Sequence, residues 1–336
     1  MSPTLSIVMP AYNASTHLPE AIRSLLSQSS DDWELIVADD CSTDKTCQIV
    51  TDFATYEPRV RLIRLKTNSG SAFRPRAEAV KEANGKYVVE LDSDDYLEPS
   101  YVADAIKRID ETGADIVFGN LSFIYHDGRS SRLTTDFNRS RTIPGRDHLK
   151  YTLNHWGDGC RGAIRTELYK RALATFDDDE NSMSADELLI RKCLIMAEKL
   201  AFFESCYFYR IHESSITKSQ NIRQFDILDT NTRLKALVFN EFPTGAIERR
   251  LVNDQLTSDL WSSVIEFSKF PFKSKEEREK VYKLLTAAYR VADIGKARKC
   301  LGDKRTAVLQ CGLKNAILIN KLINRFGKRR HLQEYS

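Results

Sequence analysis

The sequence predicts an α/β protein with a mostly parallel, Rossmann-like sheet covered by helices on both faces, followed by a helical region. Short apolar runs alternate with stretches of helical spacing through the first 110 residues, and this alternation is typical of βαβ units. The runs are apolar throughout, as expected for strands that are covered on both faces. Two of them end in aspartate clusters, and the ligands of such sheets bind at the carboxyl ends of the strands.

Each element follows from the spacing of its apolar residues. The apolar runs predict strands, in chain order, at residues 5–8, 35–38, 60–65, 87–91, 115–118 and 202–210. Helical spacing predicts helices at 18–26, around 49–53, and at 76–83, 101–109, 162–174 and 186–196. Residues 121–146 are polar and turn-rich, which predicts a loop or an edge hairpin. Beyond residue 221 only helical periodicity remains, and it predicts helices at 255–267, 276–292 and 307–326.

The composition excludes several classes of protein. Hydrophobic residues make up 42% and charged residues 29% of the 336 positions, as in globular proteins. The net charge of +3 is too balanced to make nucleic acid the expected partner. We expect no membrane span, because no apolar stretch is long enough, and no secretory signal, because no basic segment precedes the first apolar run. Seven cysteines without a Cys-x-x-Cys pair favour a reducing compartment, so we expect a cytoplasmic enzyme.

An acidic cluster, Asp92-Ser93-Asp94-Asp95, follows the fourth predicted strand. Three carboxylates so close together repel one another unless a cation or solvent separates them. Mg²⁺ and Mn²⁺ are typically held by one or two carboxylates together with the phosphates of a substrate. A solvated acidic turn or a helix N-cap is the alternative interpretation.

A second acidic pair, Asp39-Asp40, follows the second predicted strand. In a parallel sheet neighbouring strand ends converge, so we expect both clusters to face one ligand. Asp39 is then a candidate acceptor for an N–H group of a base or for ribose hydroxyls. It is alternatively a turn-capping residue, since Ser42-Thr43-Asp44 has the composition of a helix start.

The sequence resembles the family-2 glycosyltransferases, the inverting type built on the nucleotide-diphospho-sugar transferase (GT-A) fold, of the kind found in bacterial surface-polysaccharide synthesis. The matching segments are residues 5–13 (LSIVMPAYN), 34–44 (ELIVADDCSTD), 68–70 (NSG) and 84–99 (NGKYVVELDSDDYLEP). A weaker resemblance continues to about residue 220. It implies a catalytic domain at 1–220, with a nucleotide-sugar-binding half (1–110) and an acceptor-binding half (111–220). Residues 221–336 form the predicted helical C-terminal region.

The resemblance implies where a sugar-nucleotide donor binds. The implied donor-binding residues of the first half are Pro10, Ala11, Tyr12, Asp39, Asp92 and Ser93. Within this set the first three flank the base, Asp39 contacts uracil, and Asp92 lies on the sugar side. Asp94 and Asp95 are implied as the pair nearest to the divalent cation, Mn²⁺ or Mg²⁺.

Two positions depart from the family pattern. Cys41 stands where the family usually has glycine, which places the backbone angles of that loop in question. Phe73-Arg74-Pro75-Arg76 replaces the family's Ala-Arg-Asn. Either Arg74 or Arg76 takes the part of the arginine near the nucleotide.

The resemblance also implies a catalytic carboxylate in the second half of the domain. Family members carry an aspartate at a helix start, about ten residues after a phenylalanine in an acidic loop. Phe176 and Asp186 match this layout, so Asp186 is the candidate base and its neighbour Glu187 is the alternative. We interpret the acidic residues 177–180 as a solvated loop in preference to a metal cluster.

The segment from Tyr207 to Thr217 resembles the part of the family that closes over the donor diphosphate. Arg210 is a candidate phosphate ligand, since a guanidinium binds phosphate oxygens as a fork. His212 is either a third metal ligand or phosphate donor, or a surface histidine. Trp156 either stacks on a sugar ring or packs in the core.

The implied reaction is transfer of a sugar from a UDP-sugar to a hydroxyl of a glycan or polyprenyl-diphosphate-linked oligosaccharide, with inversion to a β-linkage. The alternatives are a non-catalytic sugar-nucleotide-binding protein and another metal-dependent nucleotidyl- or phosphate-transfer enzyme. Residues 304–331 contain eight basic residues and no acidic one, interleaved with apolar residues at near-helical spacing. This tail is predicted either to lie on an anionic membrane surface, which would make the enzyme peripheral on the inner face of the cell membrane, or to pack on the protein.

Overall fold

The structure is a computed structural model that describes residues 2–132, 140–153, 161–177, 180, 182, 184–211 and 221–333, with the side chains of 298 and 325–333 outside the description. The chain divides into two compact units, Met1–Ser219 and Gln220–Ser336. We refer to them as unit 1 and unit 2. Each is described by itself below.

Unit 1 contains a single mixed sheet among its described residues. Its strands are β1 (Leu5–Ala11), β2 (Trp33–Asp39), β3 (Val60–Arg64), β4 (Tyr87–Glu90), β5 (Tyr96–Leu97), β6 (Ile116–Tyr125), β7 (Ser130–Arg132), β8 (Gly162–Arg165) and β9 (Leu200–Ile211). The order across the sheet is β3-β2-β1-β4-β8-β6-β9-β5, with β7 paired to β6.

Helices cover this sheet. Those described in unit 1 are α1 (Leu18–Leu26), α2 (Thr46–Tyr56), α3 (Phe73–Lys81), α4 (Tyr101–Thr112), α5 (Gly145–Thr152), α6 (Thr166–Leu173) and α7 (Ala185–Met196). Helix α1 is amphipathic, with Leu18, Ile22 and Leu25 buried against the sheet. Proline at its second position suits a first turn, where the backbone N–H has no helical partner.

The first four strands confirm the predicted parallel arrangement. β1 lies between β2 and β4, and β2 pairs with β3, all in parallel. Every residue of β1 and β2 is buried, because helices cover both faces of the sheet. The predicted helix at 76–83 begins three residues earlier, at Phe73.

The second half of the sheet departs from the parallel pattern. β8 runs antiparallel to both β4 and β6, between which it lies. The prediction of a helix over 162–174 is therefore wrong for 162–165, while α6 forms the remainder. Gly162 shows why the strand forms there: a Cβ at this position would lie 2.0 Å from the Val117 carbonyl oxygen, so only glycine permits the pairing.

The remaining strands build the far edge. β6 extends beyond the predicted 115–118 and continues into the predicted edge hairpin through β7. The strand predicted at 202–210 is β9, which pairs with β6 in parallel. The two-residue strand β5 pairs with β9 antiparallel. β5 has no strong sequence signal, because two residues are too few to show a period.

Unit 2 is helical over its described residues, which confirms the absence of strands predicted there. A short 3₁₀ helix (Ile222–Asp226) precedes α8 (Ile227–Glu241), α9 (Ile247–Lys269), α10 (Lys275–Val291), α11 (Arg298–Leu301), α12 (Asp303–Gln310) and α13 (Leu313–Gln333). The predicted single helix at 307–326 is wrong, because Gly312 has φ of 100° and separates α12 from α13. The core of the unit includes Leu256, Leu260, Leu285 and Ile317.

Among the helices of the described residues, none combines the length and the apolar character that crossing a bilayer requires.

Candidate active site

The two acidic clusters follow strands that end at the same edge of the sheet, as predicted. β1 separates the carboxyl ends of β2 and β4, with Ala11 in register with Asp39. The Asp40 N–H donates to the Ala11 carbonyl at 2.8 Å, and the Leu91 N–H donates to that of Val8 at 3.1 Å. The strands β2, β1 and β4 therefore all end at the same edge of the sheet, and Pro10 and Ala11 lie at the end of the middle strand, β1.

Asp39 is fully buried at this edge. Its Oδ2 accepts from the Ser42 N–H at 3.0 Å and lies 3.7 Å from Arg64 Nε. Its Oδ1 is buried and accepts no hydrogen bond among the described residues. The carboxylate lies beside the thiol of Cys47 and, together with burial, raises the pKa of that thiol to about 11. Apart from this neighbouring thiol, no donor of the described residues is placed to bond Oδ1, which a turn-capping role does not explain.

The neighbouring Asp40 has a structural role. Its carboxylate accepts from the N–H groups of Ser69 and Gly70 and from the Ser69 hydroxyl, at 2.9 to 3.3 Å. These bonds hold the 68–70 segment beside the end of β2.

The loop after β1 and the loop after β2 support each other in unusual backbone conformations. Asn13 (φ 48°) and Cys41 (φ 65°) both adopt the left-handed region. The Asn13 side-chain oxygen accepts from the Thr43 N–H at 2.9 Å, and the Asn13 N–H donates to the Ser42 hydroxyl. Cys41 thus keeps the conformation in which the family uses glycine. Tyr12, beside this loop, is 48% exposed.

Asp92 is held by two arginines, the buried Arg76 and the partly buried Arg161. Its Oδ1 accepts from Arg76 at 2.9 Å and its Oδ2 from Arg161 at 2.9 Å. Burial alone would raise the pKa of Asp92, but Arg161 and Arg76 hold it below its ordinary value. The Asp92 carboxylate is therefore ionised, and each of its oxygens is bound by a guanidinium group.

Arg76 connects three carboxylates. Its side chain is 2% exposed and lies 3.3 Å from Glu90, 2.9 Å from Asp92 and 3.4 Å from Asp186. Arg74, the other arginine of the segment, is exposed. The structure therefore places Arg76 between the implied donor-side aspartate and the candidate base.

Asp95 lies in a separate part of the cluster. Its buried carboxylate accepts from the Tyr207 hydroxyl at 2.6 Å and from the Arg210 N–H at 2.8 Å. The same hydroxyl accepts from the Asp92 N–H at 3.1 Å, so Tyr207 joins the two ends of the motif. Burial, with the carboxylates of Asp92 and Asp94 nearby, raises the pKa of Asp95 well above its ordinary value.

Arg210 is engaged by protein groups. Its Nη2 lies 2.9 Å from Glu20, its Nη1 lies 3.3 Å from His17 Nδ1, and its Nε donates to the Asp94 carbonyl at 3.0 Å. The guanidinium also lies 5.4 Å from the ring centre of Tyr96. It sits at the mouth of the Asp94–Asp95 loop, in a fixed position.

Asp186 and Glu187 open helix α7 but point to different partners. Asp186 is about one third exposed, and its Oδ2 lies 3.4 Å from Arg76 Nη1. Glu187 forms an ion pair with the buried Arg191 at 3.0 Å, one turn along the helix. Asp186 is thus connected to the acidic cluster through Arg76.

A comparison with protein-family models identifies the class of the chain. The model described as glycosyl transferase family 2 matches residues 6–173. The chain belongs to this family. The family predicted from the resemblance of the strand-end motifs is therefore confirmed.

Curated relatives of this family-2 glycosyltransferase come from several bacteria. The succinoglycan biosynthesis protein ExoO of Rhizobium meliloti is 30% identical over 67% of this chain and 66% of its own length. GlyG of Streptococcus pneumoniae is 32% identical over 66% of this chain and 75% of its own length. The poly(ribitol-phosphate) β-N-acetylglucosaminyltransferase TarS of Staphylococcus aureus is 28% identical over 61% of this chain. The matched part is only 35% of TarS.

Solved structures confirm the predicted GT-A fold. Residues 1–349 of S. aureus TarS, in complex with UDP-GlcNAc, superpose with a TM-score of 0.71 at 22% identity, covering 97% of this chain and 92% of that one. The mannosyltransferase PcManGT of Pyrobaculum calidifontis, in complex with GDP-Man and Mn²⁺, gives 0.54 at 16% identity, covering 97% and 88%.

Several residues of the site carry no clear sequence signal. Arg161 lies just before β8 and just before the helix predicted at 162–174. Its guanidinium also lies 3.6 Å from Glu90 and 5.0 Å from the ring centre of Tyr207. Tyr169 donates to Glu90 at 2.5 Å. The alternation along β9 is the one usable signal, since it puts Tyr207 and Tyr209 on the same face.

Some predicted residues lie outside the described part of the chain. These are His212, Trp156, and Asp178 and Asp179 of the acidic loop. Within the described part, no group of three or more His, Cys, Asp or Glu side chains is arranged to hold a metal ion.

Proposed function

We propose that this family-2 glycosyltransferase moves a sugar from a UDP-sugar to a hydroxyl group of a glycan acceptor, with inversion at the anomeric carbon. The observation that carries the proposal is the bridge formed by Arg76. It joins Asp92, on the implied donor side, to Asp186, the candidate base, through contacts of 2.9 and 3.4 Å. A donor-binding group and a proton acceptor are thereby held at one edge of the sheet.

The nucleotide binds, in this proposal, across the ends of β1 and β2. The buried Oδ1 of Asp39 keeps acceptor capacity suited to an N–H group of uracil. Pro10, Ala11 and the exposed ring of Tyr12 border this position and would flank the base. Arg74, two residues before Arg76 in the sequence, is exposed and stays a candidate for a phosphate contact.

Asp94 and Asp95 suit a divalent cation, Mn²⁺ or Mg²⁺. Such ions accept one or two carboxylates and complete their shell with water and substrate phosphates, so a set of two carboxylates is sufficient. Burial, with the carboxylates of Asp92 and Asp94 nearby, raises the pKa of Asp95, and a bound cation would favour its ionised form. When bound, the cation would supply Lewis-acid stabilisation of the leaving diphosphate. We assign Ser93 and Arg210 to the same donor region and His212 as a third ligand.

The chemistry proposed for the protein's own groups is one direct displacement. Asp186 takes the proton from the acceptor hydroxyl as that oxygen attacks the anomeric carbon and the bond to the diphosphate breaks. A single displacement converts an α-linked donor into a β-linked product. Arg76 fixes the direction of Asp186, and Arg161 fixes that of Asp92.

Substitution of Asp186 by asparagine tests this assignment. We expect Asp186→Asn to bind UDP like the parent but to transfer sugar at least 100-fold more slowly, in the range of a lost general base. Glu187→Gln is the matched control, because Glu187 neighbours Asp186 but pairs with Arg191. Transfer at the parent rate by Asp186→Asn would overturn the assignment. UDP binding without turnover in the parent, on every acceptor tried, would favour a binding protein.

The sugar and the acceptor are proposed from the relatives. A hexosyl or N-acetylhexosaminyl donor and a lipid-linked oligosaccharide of surface-polysaccharide synthesis, such as O-antigen or capsule, agree with relatives named for succinoglycan biosynthesis and N-acetylglucosaminyl transfer. Residues 1–110 would bind the donor, and 111–220 the acceptor. Mass spectrometry of products from a panel of UDP-sugars, with a polyprenyl-diphosphate oligosaccharide as acceptor, tests this part.

We also propose that helix α13 holds the enzyme at an anionic membrane surface inside the cell. Leu313 and Ile317 pack into the core of unit 2, whereas Leu318, Leu322 and Ile323 are exposed on the same helix. The flanking residues of 304–331 are basic and would attract anionic lipids.

The exposed residues allow a test that leaves the core intact. Leu322→Asp with Ile323→Asp should abolish co-sedimentation with phosphatidylglycerol vesicles while preserving the parent's thermal stability. Neutral phosphatidylcholine vesicles serve as the control. Undiminished sedimentation with the anionic vesicles would refute the membrane role.

A further inference from the structure

Unit 2 contains a groove between helices α9, α10 and α13. Its volume is about 370 Å³, and its lining consists of Phe267, Lys275, Arg278, Glu279, Tyr282, Lys314 and Ile317. This volume lies at the small end of the range for ligand pockets. None of the lining residues belongs to the site described above.

The lining separates into an apolar floor and a basic rim. Phe267 and Ile317 are buried, Tyr282 is half-buried, and together they form the floor. Lys275, Arg278 and Lys314 are exposed around it. Covering this apolar floor with hydrocarbon is favourable, because it removes apolar surface from water. The cations of the rim favour an anionic group, with which they form charge-assisted hydrogen bonds.

The rim is only partly neutralised within unit 2. Lys275 has Glu279 as its partner at 3.6 Å, with both side chains largely exposed. Arg278 lies 5.4 Å from the ring centre of Phe267 and, like Lys314, forms no ion pair among the described residues. One carboxylate therefore faces three cations.

We infer that this groove binds a diphosphate carrying an apolar chain, the head-group chemistry of a prenyl diphosphate. The inference rests on the proposed lipid-linked acceptor and assigns its anchoring group to unit 2. The cations bind the phosphate oxygens, and the first carbons of the chain cover Phe267, Tyr282 and Ile317. The volume suits a diphosphate and a few chain carbons, with the rest of the chain outside the groove.

Farnesyl diphosphate is a soluble probe of this site. Binding to the full chain is measured by calorimetry with UDP at saturation, so that the donor site cannot contribute. We expect Arg278→Gln with Lys314→Gln to weaken binding at least tenfold. Lys280→Gln with Lys283→Gln, an equal charge change on α10 outside the lining, should stay within twofold of the parent.

Inorganic pyrophosphate and farnesol test the two halves of the assignment, and each should bind at least tenfold more weakly than farnesyl diphosphate. Equal weakening by the groove pair and the control pair would overturn the inference. So would pyrophosphate binding as tightly as farnesyl diphosphate, or loss of farnesyl diphosphate binding when UDP is added. UDP affinity, measured on the same variants, should not change. A failure of the donor-site assignment would instead appear as absent UDP binding in the parent.

Discussion

Arg76→Met is the most informative perturbation of the site. In the parent, Arg76 and Arg161 together neutralise Glu90 and Asp92, and Arg76 also reaches Asp186. Removing Arg76 leaves the partly buried Arg161 as the one cation for the buried Glu90 and the partly buried Asp92. Loss of one partner from a buried ion pair costs about 3–5 kcal/mol, a large fraction of the stability of a typical domain.

The pH dependence of this loss has a definite sign. Arg161 and Arg76 hold the pKa of Asp92 below its ordinary value, so the ionised form stabilises the folded state above about pH 4. This contribution disappears as the pH falls through the folded-state pKa. In Arg76→Met the carboxylates that have lost this cation take up protons at a higher pH than in the parent, which removes their unpaired charge. The difference in unfolding free energy between parent and Arg76→Met should therefore be largest at pH 7.5 and smaller at pH 4.5.

Urea unfolding followed by tryptophan fluorescence measures this difference in unit 1 alone. A Trp261→Phe background removes the tryptophan of unit 2 and leaves Trp33 and Trp156 in unit 1. Lys81→Met is the matched control: it removes one cation from the same helix, but its partner Glu78 is exposed, so the cost should stay below about 0.5 kcal/mol. A cost for Arg76→Met under about 1 kcal/mol, or one independent of pH, would refute the reasoning.

Three further predictions concern backbone and thiol chemistry near the site. Cys41→Gly should raise the unfolding free energy by up to about 1 kcal/mol, because glycine adopts φ of 65° without strain, whereas Cys41→Ala should not; urea titration distinguishes them. Gly162→Ala should cost more than about 3 kcal/mol or prevent soluble expression, since its Cβ would overlap the Val117 carbonyl, and a parent-like melting temperature would contradict this. Cys47, with a pKa of about 11, should react with iodoacetamide at pH 8 far more slowly than Cys41, as peptide mass spectrometry will show; equal rates would mean that Asp39 and burial do not act on the thiol.

The fold of the first half of the domain, residues 1–110, could be predicted because each of its elements shows in a short stretch of sequence. Each of the first four strands is an apolar run, and each is separated from the next by a helical stretch, so the order and the parallel direction follow from right-handed βαβ connections. The convergence of Asp39 and Asp92 follows from the same topology. Their positions at strand ends required no knowledge of later residues.

The second half was less predictable because its contacts are distant in sequence. β8 has four residues, and a short apolar run does not distinguish a strand from the start of a helix. Its identity as a strand depends on β4 and β6 on either side. β5 likewise exists only because β9, more than 100 residues later, offers it a partner.

The distribution of charge explains why the role of the acidic motif could only be outlined from the sequence. Repulsion among three aspartates predicts a counter-charge but does not say which carboxylate receives it. The structure gives Asp92 two guanidinium partners, from Arg76 and from Arg161, which is 69 positions away. Among the described residues, the Asp95 carboxylate accepts its hydrogen bonds from neutral donors, the Tyr207 O–H and the backbone N–H of Arg210. This difference in charged partners supports the proposed division between a sugar-side Asp92 and a metal-side pair, Asp94 and Asp95.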